Sequence, residues 1–216
     1  MKNINIEEIR KNNREFENQL RKPTGTKGIV VADFLRSHNF FQNRWSISLL
    51  KLKPTDTVLE IGFGTGEGLK MIANKVRFGK IWGLDFSKLM VETAKKLNAE
   101  RVKSKKLELL SGEVSKYNFK QLKFDKILGV NVLYFWKKPQ TVMSKLFRLL
   151  NPGGRLALFI YDKESQKDRE SEGIFRNYSG EAVCKMLKDS GFQNVSFNTR
   201  TFGNNPRLGV CVVAEK

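Results

Sequence analysis

Four glycines at alternate positions, Gly62, Gly64, Gly66 and Gly68, stand directly behind a short apolar run (Val58, Leu59, Ile61) that holds one acid, Glu60. Leu69, Met71, Ile72 and Val76 follow at helical spacing. A strand, a turn nearly free of side chains and a helix start together form a cradle for part of a nucleotide-like ligand. Glycine lets such a ligand approach the backbone closely, and the first helical turn offers unpaired N–H groups with a partial positive charge. The acid narrows the ligand's chemistry. A dinucleotide fingerprint needs a third glycine three residues after the second, where this chain has Glu67. A phosphate loop ends in Gly-Lys-Ser/Thr, which is missing. Glu60, two residues before the first glycine, repels a pyrophosphate and attracts an ammonium or sulfonium group. A turn with no ligand is the competing reading, and four alternating glycines are costly to order for geometry alone.

Further acids recur at the ends of later apolar runs. Lys80 to Asp85 reads as a second strand closing on a carboxylate, 19 residues beyond Gly66. Its two oxygens suit a pair of ribose hydroxyls, and Ser87 suits the cap of the next helix. An ordinary exposed acid at a strand end is the alternative. Leu107 to Leu110 leads into Ser111-Gly112-Glu113-Val114, and Phe124 to Val130 leads into Asn131-Val132-Leu133-Tyr134-Phe135-Trp136. Lys138 to Leu150 is amphipathic and stops at Asn151-Pro152-Gly153-Gly154. Arg155 to Tyr161 is almost wholly apolar, as a strand buried on both faces should be. Ser179 caps a helix running to Ser190, and Val195–Phe202 with Leu208–Ala214 read as two closing strands.

The stretch V-L-E-I-G-F-G-T-G, with the later segments in order over about residues 55 to 215, resembles the class I (Rossmann-like) S-adenosylmethionine-dependent methyltransferases. The likeness runs to the group that includes the quinone-biosynthesis enzymes. It implies an α/β three-layer sandwich with a seven-stranded, mostly parallel sheet whose last strand is antiparallel. Residues 1–53 are expected as an N-terminal helical cap and 54–216 as the cofactor-binding domain. The resemblance further implies S-adenosyl-L-methionine held by Glu60, Gly62, Phe63, Gly64, Gly66, Asp85, Phe86, Ser87, Met90, Gly112, Glu113, Val114 and Asn131. Phe86 and Met90 would flank the adenine. Glu113 stands where the family usually has Asp, one methylene shorter. Base N-methylating members carry Asp/Asn-Pro-Pro-aromatic where this chain has Asn131-Val132-Leu133-Tyr134, and both prolines are absent.

Methyl transfer demands alignment more than acid–base chemistry, and no base is assigned. His38, Tyr134 and Tyr161 are the candidates. His38 falls on a helical face with Phe34, Phe41, Trp45 and Leu49, which reads as a packed side chain. Phe40, Phe41, Trp45 and Trp136 suggest an apolar or planar small-molecule site. The charged stretch 162–172 reads as a lid or insertion at the ligand edge. Residues 1 to about 22 read as one amphipathic helix ended by Pro23, Gly25 and Gly28.

The 216-residue chain carries a net charge of +18. Its densest basic run, Lys95 to Lys106, should lie at the amino edge of the sheet, away from the ligand side of an open α/β fold. Cys184 and Cys211 make neither a disulfide scaffold nor a zinc site, so no metal is expected. No run spans a membrane and no signal-peptide core is present, which makes the cytoplasm the expectation. The expected function is methyl transfer to a small-molecule acceptor. RNA methylation, suggested by the charge, and a catalytically silent cofactor-binding partner subunit are the alternatives.

Overall fold

The computed structural model describes residues 5–169, 175–203 and 206–216. Its strands β1 (Val58–Ile61), β2 (Ile81–Asp85), β3 (Leu107–Ser111), β4 (Phe124–Val130), β5 (Leu150–Tyr161), β6 (Gln193–Phe202) and β7 (Arg207–Glu215) form one sheet. Their order is β3-β2-β1-β4-β5-β7-β6. The first five are parallel, and β7 runs antiparallel between β5 and β6. This is the expected Rossmann-like sheet. The chain moves outward from β1 to β3 and then crosses to β4, so β1 and β4 flank the point where strand order reverses. Open α/β sheets bind ligands beyond the carboxyl ends of strands at that point.

Alternating side chains of the central strands serve two cores, one on each face. Leu59, Trp82 and Ile127 pack with α8 (Pro139–Leu149) and α9 (Gly180–Asp189). Val58, Ile81 and Leu128 pack on the other face with α5 (Glu67–Lys75) and with Ala94 of α6 (Lys88–Leu97). Ser179 caps α9 as expected, accepting from the amide of Ala182.

The amino-terminal region breaks more often than the periodicity suggested. Its first segment is two helices, α1 (Ile6–Arg10) and α2 (Asn13–Arg21). Asn12 divides them because its side chain accepts from the Glu15 amide at 3.0 Å, restarting the helix. The second region is divided at Asn39 into α3 (Gly25–His38) and α4 (Phe40–Leu49). Asn39 is drawn out of line by a tertiary bond, accepting from Asn131 Nδ2 at 3.0 Å. Helices α1 to α3 share a small core of Ile9, Phe16 and Val31, whereas α4 buries Ile47 in the sheet's own core.

Two further elements differ. The Asn151–Gly154 stop is an irregularity inside β5: Leu150 still pairs with Phe124, and regular pairing resumes with Arg155 opposite Lys126. Of the charged stretch expected as a lid, residues 170–172 lie outside the described residues. The remainder is short 3₁₀ structure over Lys163–Arg169 with Gln166 buried.

Candidate functional site

A cavity of about 660 Å³ opens at the carboxyl ends of β1 to β5, walled on its far side by residues of α1, α2 and α3. Its size lies in the ordinary range for ligand pockets.

The four glycines divide their duties. Gly62 (φ 64°) and Gly64 (φ 55°) adopt left-handed backbone and line the cavity, and a Cβ on Gly62 would run into Val132. Gly66 lies outside the wall; a Cβ there would meet Ala94 at 2.8 Å and Asn98 at 2.9 Å, so it serves the packing of α5 on α6. Gly68 leaves room for the carboxylate of Glu60, which occupies the space a Cβ would need.

Glu60 is therefore buried beneath the turn, and its Oε2 has no hydrogen-bond partner among the described residues. Burial, with a smaller contribution from the nearby Asp85 charge, pushes its pKa up to about 8. Asp85 accepts from the Gly64 amide at 3.0 Å and from the Ser87 amide at 2.9 Å. Its burial outweighs those hydrogen bonds and raises its pKa to about 6. Two carboxyl groups that are costly to ionise thus face one cavity, an arrangement that a cationic ligand relieves.

Phe63, Phe86, Met90, Gly112, Glu113 and Val114 also line the wall. Glu113 is exposed, and its Oε1 accepts from Ser115 Oγ at 2.7 Å. Ser87, expected as a ligand contact, is buried outside the wall. Its hydroxyl donates to the Pro23 carbonyl at 2.7 Å and accepts from the Met90 amide at 3.3 Å. It therefore joins the amino-terminal helices to the sheet. Ser87→Ala removes a helix cap and strands a buried carbonyl, so stability should fall by about 1–3 kcal/mol, measured by denaturant unfolding. An unchanged midpoint would refute the tether.

At the other end Asn131 has a positive φ of 57°. Its Nδ2 donates to Asn39 and its Oδ1 accepts from the Tyr134 hydroxyl at 3.2 Å. The Tyr134 oxygen also accepts from the Tyr161 amide, and the Tyr161 oxygen accepts from Gln42 Nε2. Both tyrosines line the cavity and are held in this network, as Tyr134 is by stacking on Phe175 at 4.2 Å.

The aromatic expectations are partly corrected. Trp136 does line the cavity. Phe40 and Phe41 are exposed on the surface, and Trp45 packs on Phe159 and Phe202 in the core. The break at Asn39 rotates these residues away from the face shared by Phe34 and His38. His38 stacks on Phe34 at 3.8 Å as a packed side chain, but at an exposed position in the cavity wall. Phe34, Phe135 and Phe175 supply the aromatic surface instead. Phe175 had no signal in the sequence, since it reaches the site through its contact with Tyr134, far away along the chain. Among the described residues no cluster of His, Cys, Asp or Glu forms a metal site, and no helix is long and apolar enough to cross a membrane.

The match to known families is a methyltransferase domain over residues 59–158. An uncharacterized methyltransferase of Bacillus subtilis, YdaC, is 26% identical over 188 residues, spanning 87% of this chain and 98% of its own. A demethylmenaquinone methyltransferase of Lactococcus lactis is 35% identical over 139 residues, covering 62% of this chain and 55% of the relative. Among solved structures, a Haemonchus contortus phosphoethanolamine N-methyltransferase in complex with phosphomonomethylethanolamine and S-adenosylhomocysteine superposes with a TM-score of 0.68. That match has 17% identity and covers 82% of this chain and 52% of the other. At that identity the likeness is one of fold.

Proposed function

We propose, for a chain that resembles the class I (Rossmann-like) methyltransferases in sequence and fold and is similar to their quinone-biosynthesis members, that it transfers a methyl group from S-adenosyl-L-methionine to a small-molecule acceptor. The observation that carries this reading is the buried Glu60 Oε2 beneath the glycine turn, which has no hydrogen-bond partner among the described residues. A cationic, diphosphate-free nucleoside fits that site, and a dinucleotide does not.

In this reading the bound cofactor supplies a methyl group on a positively charged sulfur, whose charge is lost on transfer so that no acid is required. Glu60 attracts the ammonium or sulfonium end. Asp85, a carboxylate with more acceptor sites than the backbone amides that bond to it, receives the ribose hydroxyls. Phe86 and Met90 flank the adenine, Glu113 and the Val114 amide address its edge, and Asn131 stands at the methionine end. Of the amino-terminal cap expected over residues 1–53, helices α1 to α3 wall the far side of the cavity, exclude water and fix the approach of the acceptor. Such alignment can contribute roughly 7–11 kcal/mol of the barrier. Tyr134 and Tyr161, already accepting hydrogen bonds, serve as positioned walls. The same proposal places the protein in the cytoplasm, consistent with Cys184 and Cys211 both being buried free thiols.

The densest basic run does not argue for the RNA reading. The run from Lys95 to Lys106 covers the end of α6, the short helix α7 (Ala99–Lys103) and the approach to β3. That is the edge opposite the cavity, and Lys106 there is engaged with the carbonyls of Arg77 and Gly79. Labelled-methyl transfer against fractionated cell extract, with small molecules and RNA tested separately, decides the matter. Label in a small-molecule fraction is expected. Label confined to RNA would overturn the acceptor, and no transfer despite cofactor uptake would favour the silent subunit.

A further inference from the structure

The carboxylates that line the cavity are confined to one half of it. Its carboxylates, Glu60, Glu67, Asp85 and Glu113, all belong to β1, β2, β3 or the segments just after them. Among the described residues, the wall contributed by β4, β5, β7 and their following segments contains no Asp or Glu, but it contains Lys137, Lys138 and Arg207. A general lysine excess would scatter cations and leave acids in both halves.

Pairing sharpens the contrast. Elsewhere in the wall Arg10 meets Glu7 at 3.1 Å, Arg36 meets Asp33 at 3.3 Å and Lys116 meets Glu113 at 3.7 Å, while Arg21 lies over the Phe86 ring at 5.8 Å. Lys137, Lys138 and Arg207 have no ion pair among the described residues, although Arg207 is half-buried. A partly desolvated guanidinium favours a bound anion and can take it with two parallel hydrogen bonds. The first turn of α8 also opens here through Thr141 and Val142, with no side-chain hydrogen bond capping it. Pro139 has no N–H and the Val142 amide donates to the Lys138 carbonyl at 3.2 Å, so what this turn adds is the positive end of the helix dipole. Phe135 and Phe175 stand in the same half.

We propose that the methyl acceptor is a small molecule bearing an anionic group such as a carboxylate, seated by Lys137, Lys138 and Arg207 with its apolar or aromatic body against Phe135 and Phe175. This rests on the methyltransferase reading above. An acidic half for a cationic cofactor and a basic half for an anionic acceptor also orient the two reactants relative to each other.

The test uses the full chain loaded with S-adenosylhomocysteine, titrated by calorimetry with 2-naphthoate, 2-naphthamide and 2-naphthylmethylammonium. Failure to take up S-adenosylhomocysteine would show in the loading step and would be the failure of the cofactor reading instead. Naphthoate should bind about tenfold tighter than the amide, as a charge-assisted contact implies, and the ammonium weakest. Lys138→Gln with Arg207→Gln should erase that preference while S-adenosylhomocysteine affinity stays unchanged. Equal binding of acid and amide, tighter binding of the ammonium, or no naphthoate binding would overturn the proposal. So would a short oligouridylate that binds more tightly than naphthoate and displaces it. The probe series on the unaltered protein decides even if the double variant folds poorly.

Discussion

Asp85→Ala is expected to weaken S-adenosylhomocysteine binding by about 100-fold or more, the largest effect of any single substitution in the wall. Its carboxylate holds the amides of Gly64 and Ser87, so it shapes the glycine turn before any ligand arrives. Alanine removes those two bonds and the acceptors for the ribose. A hydrogen bond to a charged group is worth about 1.5–3 kcal/mol, and each 1.4 kcal/mol is tenfold in affinity. Asp85→Asn keeps the size but turns one oxygen into a donor facing an amide donor, so it should lie between the two. Calorimetric titration measures all three proteins. A change of less than about threefold in the alanine variant would remove Asp85 from the site.

The second large effect is on pH dependence. Glu60, with its pKa raised from 4.5 to about 8, stays largely neutral at pH 7 in the free protein, whereas Asp85, raised from 3.8 to about 6, is neutral only below about pH 6. For groups shifted upward, the contribution to folding stability is fully present below the unfolded pKa and is lost as pH rises through the folded one. The free protein should therefore lose stability between about pH 4 and about pH 8 through these two groups. Ligand binding has the opposite sense. A cationic ligand favours the ionised acids, so uptake releases a proton from Glu60 and tightens by about tenfold per pH unit between about pH 6 and about pH 8. Calorimetry in buffers of different ionisation enthalpy reads that proton directly. In Glu60→Gln the slope over this range should flatten and the proton release disappear. A flat profile in the unaltered protein would contradict the electrostatic role of Glu60.

How much the sequence disclosed depended on whether a feature was local. The sheet strands were legible because central strands carry continuous apolar runs ended by glycine or an acid, and Glu60, Asp85 and the Gly112–Val114 turn follow from that register. The helix ends marked by Ser87 and Ser179 were legible for the same reason: a cap is a short-range hydrogen bond. The division at Asn39 was not, because it depends on Asn131, which reaches it only once β4 is in place. That break undid the expectation that Phe41 and Trp45 share the pocket face with His38, which was read as packed and stacks on Phe34 at an exposed position. Ser87 was legible as a cap, but its second bond to the Pro23 carbonyl is purely tertiary. The four glycines looked alike along the chain, and only the neighbours of Gly66 and Gly68 separate packing from ligand access. The basic half of the cavity was hidden in the chain's overall charge, since Lys137 and Arg207 line one cavity only because the antiparallel β7 begins on the side of the sheet where β4 ends.

The most direct measurement is a calorimetric comparison of S-adenosylhomocysteine with NADH on the unaltered chain. Saturable single-site uptake of the nucleoside, with no heat from the dinucleotide, is the expected result. Tight NADH binding with none of S-adenosylhomocysteine would contradict a cavity built on two buried carboxyl groups to receive a cation.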